Sequence, residues 1–187
     1  CSLLIFFGGA TECIMTQWCS SYVESALGIP KLVGDIFGLA LFALMLAFGR
    51  TLYAKRGKNI LKVLTICLIA SIICYLVSSL FLNNIIALVF CILTGLSVSM
   101  LWPGSIILVC DKNPNAVCGD LGGAIGPQLT GIIIDKASLF NIYDLPLTNE
   151  QFGLRVGILS SIVYPILALI ILLIIKVRFY KNKKMNS

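Results

Sequence analysis

The sequence predicts an all-α, polytopic membrane protein of six transmembrane helices, and three observations carry that prediction. Of the 187 residues, 59% are hydrophobic and only 12% charged, with a mean hydropathy of +1.01. Soluble domains are about 45–50% apolar with roughly a quarter charged, so a soluble core of this size could not hide the excess. Next, six windows reach the roughly 20 mostly apolar residues that a bilayer-crossing helix needs, at about 2–26, 34–54, 60–82, 85–110, 116–137 and 153–178. Finally, the links between them alternate in character. One side holds Arg50, Lys55, Arg56, Lys58, Lys62, Lys112, Lys176, Arg178, Lys181, Lys183 and Lys184, and the other only Lys31, Lys136 and Arg155. Eleven against three makes the first side cytoplasmic, and six crossings then put both ends of the chain there.

The first window, CSLLIFFGGATECIMTQWCSSYVE, carries Glu12, Thr16, Gln17 and Trp18. A carboxylate at mid-bilayer costs several kcal/mol, so such a residue faces a bundle interior or a wet cavity. Glu12, Thr16, Cys19 and Val23 form one helical stripe, and Ala10, Cys13, Gln17 and Ser21 an adjoining one. Glu12 and Gln17 are about 140° apart around the axis, so one narrow face cannot hold both. A broad cavity wall, or a helix opened near Gly8-Gly9, accommodates the pair. The alternative for Glu12 is a protonated carboxyl in an interhelical hydrogen bond, and for Trp18 ordinary packing in place of stacking on a ligand. Gly28-Ile29-Pro30-Lys31 is the following turn.

The second window has Asp35 near its outer end and many small residues, and it runs into the basic link Lys55-Arg56-Gly57-Lys58-Asn59. The third, ILKVLTICLIASIICYLVSSLFL, lacks a mid-span charge, as does the sixth, VGILSSIVYPILALIILLIIKV. Both read as lipid-facing, while windows one, two, four and five should surround something polar. The fourth contains SVSMLWPGS. There Pro103 removes a helical hydrogen bond and clashes with the preceding turn, Gly104 adds slack, and Ser97, Ser99 and Trp102 supply polar groups. The fifth reads AVCGDLGGAIGPQLTGIIID, in which Gly119/Gly123 and Gly122/Gly126 are GxxxG pairs that let helix backbones approach closely. Asp120 and Gln128 are its polar residues. Asp111, Asp135, Asp144 and Glu150 fall at ends or in links, where water reaches them.

Several classes drop out. The net charge of +6 is gathered between apolar runs and in the tail KVRFYKNKKMNS, which is a cytoplasmic membrane flank and not a nucleic-acid surface. Of eight cysteines, Cys13, Cys19, Cys67, Cys74 and Cys91 lie inside apolar runs, where they read as small packing residues. With no histidine, no paired carboxylates at working spacing and no phosphate loop, neither an enzyme nor a metal or cofactor site is expected. The chain enters an apolar run at Cys1, which reads as a fragment whose front is missing.

On these residues the chain resembles the C-terminal half, spans seven to twelve, of a major facilitator superfamily transporter, and most closely the sugar-porter branch related to fucose permease. The likeness rests on Gly9-Ala10-Thr11-Glu12 with Thr16-Gln17-Trp18, on Val33-Gly34-Asp35, on Gly49-Arg50 and on Met100-Leu101-Trp102-Pro103-Gly104. Gly119-Asp120-Leu121-Gly122 running to Gly126-Pro127 and Gly131 completes it. Two departures stand out: Tyr53 occupies a place where the superfamily's basic loop has Asp, and the stretch between Gly104 and Gly119 is about ten residues shorter than in relatives. The resemblance implies two six-helix halves around a central cavity, the N-terminal half being absent from this chain, with a solute moved by alternating access about a midplane site. It points to Glu12, Thr16, Gln17 and Trp18 as substrate contacts, with Trp102 counted beside them. Glu12 and Asp120 are the proton-coupling candidates, since only carboxyl groups are available to titrate at depth.

The function expected is a secondary transporter of a small polar solute such as a sugar, in the cell membrane. The competing expectations are an exporter of drugs or organic cations, with Glu12 as counter-charge, and a truncated, non-transporting membrane fragment.

Overall fold

The structure is a computed structural model that describes residues 2–57, 59–109, 117–140 and 147–185. Lys58, Asp144 and the predicted turn at 111–115 lie outside them, as do the predicted span ends at 110 and 116. Among the described residues all regular structure is helical: α1 (Ser2–Ser21), α2 (Lys31–Gly34), α3 (Leu41–Arg56), α4 (Ile60–Leu80), α5 (Asn84–Val98), α6 (Leu101–Val109), α7 (Val117–Ser138), α8 (Asn149–Ser160) and α9 (Val163–Met185). Wider π-helical turns at Tyr22–Ala26 and Asp35–Ala40 prolong α1 and join α2 to α3.

Five of the resulting rods are long and apolar enough to cross a membrane: Lys31–Arg56, Ile60–Leu80, Asn84–Leu108, Val117–Ser138 and Asn149–Val177. They coincide with the second to sixth predicted windows within a few residues at most ends. The first window forms its helix as expected, yet α1 is not among the five. Its second half holds Glu12, Thr16, Gln17, Ser20 and Ser21, which dilute the apolar character that lipid contact requires. Instead α1 is wrapped by other helices. It packs most extensively on α7, then on α9, α6 and α5, and it buries Leu4, Ile5, Ile14, Met15 and Cys19.

Local chemistry sets the helix ends. Asn59 caps α4 by accepting from the Lys62 N–H at 3.3 Å, and Asn83 caps α5 through the Ile85 N–H at 3.0 Å. Thr148 and Gln151 form a reciprocal capping box on α8. Gly28, with φ of 65°, turns the chain between the first two rods in a conformation that a side chain would strain.

Two rods are broken, each one turn before a proline. The fourth parts at Ser99–Met100, four residues ahead of Pro103, and the last at Ser161–Ile162, four ahead of Pro165. A proline has no N–H to give to the carbonyl four residues back, so the predicted bend at Pro103 falls where that bond is missing. In the last rod the Ser161 carbonyl finds the Tyr164 N–H instead, at 3.2 Å.

The interior is an apolar cluster with Leu4, Ile14, Met15 and Tyr22 of the first rod against Leu64, Leu68 and Tyr75 of α4, joined by Leu101, Ile158 and Leu172. The outside is also apolar. On α4 the exposed residues Ile66, Ile69, Ile73, Leu76 and Leu80 follow helical spacing, as do Ile166, Ile170, Leu173 and Val177 on α9. Continuous apolar surface of this extent is foreign to a soluble monomer. The architecture is that of a membrane-embedded helical protein.

The five rods differ in how far they are enclosed. The least buried of the five rods is Lys31–Arg56, at 22% of its most apolar window, against 28% for Ile60–Leu80 and 33% for Asn149–Val177. The third window lacks a mid-span charge, yet α4 buries Ser71, Tyr75, Ser78 and Ser79 along its inner face.

Candidate functional site

Glu12 stands in the middle of α1 and its carboxylate pairs with Arg50 of α3. The two partners differ in environment. The Glu12 side chain is 9% exposed and that of Arg50 43%. From sequence, Arg50 stands among the cytoplasmic charges and in the Gly49-Arg50 match, with no partner assigned. It lies six residues inside the end of α3, however, and its Nε also donates to the Ser99 carbonyl at 3.1 Å. That carbonyl is the one left without a helical donor by Pro103. The proline break and the arginine are thus complementary: one frees an acceptor at depth, the other fills it.

Around the pair lies a cavity of about 520 Å³ lined by Glu12, Arg50, Tyr53, Met100, Trp102, Pro103 and Ile106. It is a space between α1, α3 and α6, inside the range of small-molecule pockets, about 300–1,000 Å³. Two polar atoms here are buried without a hydrogen-bond partner among the described residues, the second carboxylate oxygen of Glu12 and the indole N–H of Trp102. Unpaired buried groups carry a desolvation cost of about 1–3 kcal/mol each, and the indole N–H bears it packed against the Gly119 backbone of α7.

The remaining predicted contacts are distributed elsewhere. Trp18 is half-buried and donates its indole N–H to the Pro127 carbonyl of α7 at 3.0 Å, which makes it a strut between helices. Thr16 and Gln17 are exposed, and Thr16 turns its hydroxyl back onto the Glu12 carbonyl at 2.8 Å. Of the five residues expected to touch substrate, only Glu12 and Trp102 share the cavity. Asp120 is exposed in the first turn of α7 and does not line it.

Glycines hold α1 and α7 together. A Cβ at Gly122 would collide with the Phe6 carbonyl, one at Gly126 would come within 2.9 Å of the Ala10 Cβ, and one at Gly123 within 2.8 Å of the Cys13 Sγ. Gly9 faces the Gly119 backbone in the same way, and the Trp102 indole lies over Gly119. The expected close approach at the paired glycines is therefore present, with α1 as the partner. Residue numbers rise together along the seam, from Phe6 beside Gly122 to Trp18 beside Gly131, so the two helices run parallel. Gly104 has a different role: its missing side chain makes room for Ile60 and Leu64 of α4.

Beside this seam lies a second polar region. Thr16 and Gln17 of α1 and Asp120 and Gln128 of α7 are all exposed. Ser20 donates to the carboxylate of Asp35, tying the end of α1 to the π-helical turn after α2.

Sequence reasoning missed three anchoring groups besides Arg50. Tyr75 donates to the Thr11 carbonyl at 2.7 Å, and Tyr22 donates to the Ser78 carbonyl. Arg155, expected on the outer surface, is 5% exposed and donates to the carbonyls of Ser79 and Phe81 at 3.3 and 2.6 Å. It caps the C-terminal end of α4, where a positive charge meets the negative end of the helix dipole. The thiols of Cys19 and Cys91 meet at 3.4 Å between α1 and α5, both unoxidised and fully buried. No family model, curated protein or solved structure matches this chain.

Proposed function

We infer that the chain is one six-helix half of a secondary active transporter in the cell membrane. It would move a small polar solute such as a sugar by alternating access, with both chain ends cytoplasmic and α1 as the sixth crossing. The observation that carries this reading is the cavity of Glu12, Arg50 and Trp102. It is an open recess with a charged, hydrogen-bonding lining, set between helices whose outer faces are apolar, and the Glu12–Arg50 pair suits a hydroxyl, which donates and accepts at once.

Two further features support it. The exposed polar groups Thr16, Gln17, Asp120 and Gln128 suit a water-filled path or a second helical half better than acyl chains. The pairing of Glu12 with Arg50 favours a neutral solute over an organic cation, because a cation would have to displace the guanidinium. A carboxylate whose counter-charge sits on a neighbouring helix is also a reasonable proton carrier, since protonation would release Arg50 and loosen α1 from α3.

The test is uptake by vesicles carrying the full polypeptide, with neutral sugars and lipophilic cations in competition. Sugars should compete and Glu12→Gln should abolish the pH dependence of uptake. Uptake by Glu12→Gln unchanged at every pH would remove Glu12 from the mechanism, and displacement by lipophilic cations alone would favour an exporter.

A further inference from the structure

A second cavity, of about 470 Å³, adjoins the first at Tyr53 and Met100 and has no part in the transport reading. Helices α3 and α4 each pack on α5 far more than on each other, which leaves a groove between them with α5 as its floor. Its walls are Leu52 and Tyr53 of α3, Val63, Ile66 and Ala70 of α4, and Leu93 of α5. Ile66, Leu52 and Leu93 are exposed, so the groove opens sideways, towards the surface that faces lipid.

One end of the groove is different. Arg56 is part of the lining there, and the exposed Lys55 and Lys62 adjoin the lining residues Arg56 and Val63. Among the described residues no carboxylate pairs with any of these three cations. An apolar trough ending in uncompensated positive charge, where α3 leaves and α4 enters the membrane, matches an amphiphile with an anionic head. Basic pockets between transmembrane helices at a membrane face are suited to anionic lipid head groups. We propose that this groove holds an acyl chain of an anionic phospholipid, with the lipid phosphate at Arg56. The proposal rests on the membrane reading of the fold and is independent of the transport reading.

The groove can be tested with phosphatidylglycerol and phosphatidylcholine that each carry a diazirine in the acyl chain, photolysed in vesicles holding the full chain. Labelled residues are then mapped by peptide mass spectrometry. The exposed stripe of α9 at Ile166, Ile170 and Val177 should be labelled equally by both lipids and serves as the internal reference. Cys67, Ala70 and Leu93 in the groove should favour phosphatidylglycerol by about fivefold, the preference expected of one basic group. Arg56→Gln should bring the ratio back to that of the α9 stripe, Arg56→Lys should retain it, and Ala70→Phe should abolish groove labelling by either lipid while sparing α9. Equal labelling of the groove by both lipids, or a preference that survives Arg56→Gln, would overturn the lipid site while leaving the membrane reading intact. Failure of either lipid to label the α9 stripe would overturn both.

Discussion

At the scale of residues, the ion pair of Glu12 and Arg50 is unequal, and its inequality is measurable. Arg50 is nearly half exposed on its side chain, so when Glu12 is neutralised the guanidinium can rehydrate. Glu12 is enclosed, so when Arg50 is neutralised its carboxyl bears the desolvation cost, as an unpaired charge or by taking up a proton. Removing one partner of a buried pair costs about 3–5 kcal/mol, whereas exposed pairs contribute about 0–1 kcal/mol. Arg50→Gln should therefore lower the midpoint of thermal unfolding in detergent markedly more than Glu12→Gln. Equal losses would mean that both groups are equally wet. Glu12 was legible in the sequence because a lone carboxylate in an apolar run is conspicuous. Its partner was not, because Arg50 sits close to Lys55 and Arg56 and was counted with them. The usable signal was position: Arg50 is more than one turn further into the apolar window than its basic neighbours.

Among the elements, the seam of α1 and α7 is the most demanding contact, because backbone approaches backbone at Gly122. Side chains cannot be added there without parting the helices. Gly122→Leu should destabilise the protein by several kcal/mol, as overpacking combined with lost contact does, whereas Gly28→Ala should cost far less. At Gly28 only the positive φ resists a side chain, since no atom of the described residues lies within 4 Å of an added Cβ. Comparative denaturation of the two variants checks this. Thr148→Ala should cost about 1 kcal/mol through loss of the α8 cap, readable in the same assay. The paired glycines were visible in the sequence, but not their partner, because spacing within one helix says nothing about which other helix fills the groove. The prolines behaved similarly. Their missing N–H groups were certain from the residue type, while the relief of Ser99 by Arg50 depends on a contact 49 residues away in sequence.

For the whole molecule, periodic hydrophobicity located the rods because lipid and protein core both select apolar side chains over the length of a crossing. The same fact concealed which rods lie outside: an apolar residue facing lipid and one facing a neighbour helix are chemically alike. Thus Lys31–Arg56, with exposed Phe37, Leu44 and Phe48, is the least enclosed although its sequence suggested a lining role. The proposed topology, six crossings with both chain ends on one face, makes a definite prediction. Cysteines placed at Lys31 and Asn83 should react with an impermeant maleimide from one side of sealed vesicles, and those at Lys55 and Lys62 only from the other. Reaction of all four from the same side would discard the topology.

The breaks at Ser99–Met100 and Ser161–Ile162 give the bundle two elbows in otherwise stiff rods. Trp102 lies just beyond the first elbow, on the short forearm of α6, whereas Glu12 belongs to the column that glycines clamp onto α7. Swinging that forearm would draw the indole away from the carboxylate while the column stayed still. Because that indole also rests on Gly119, such a swing would part α6 from the head of the glycine seam as well as widen the cavity.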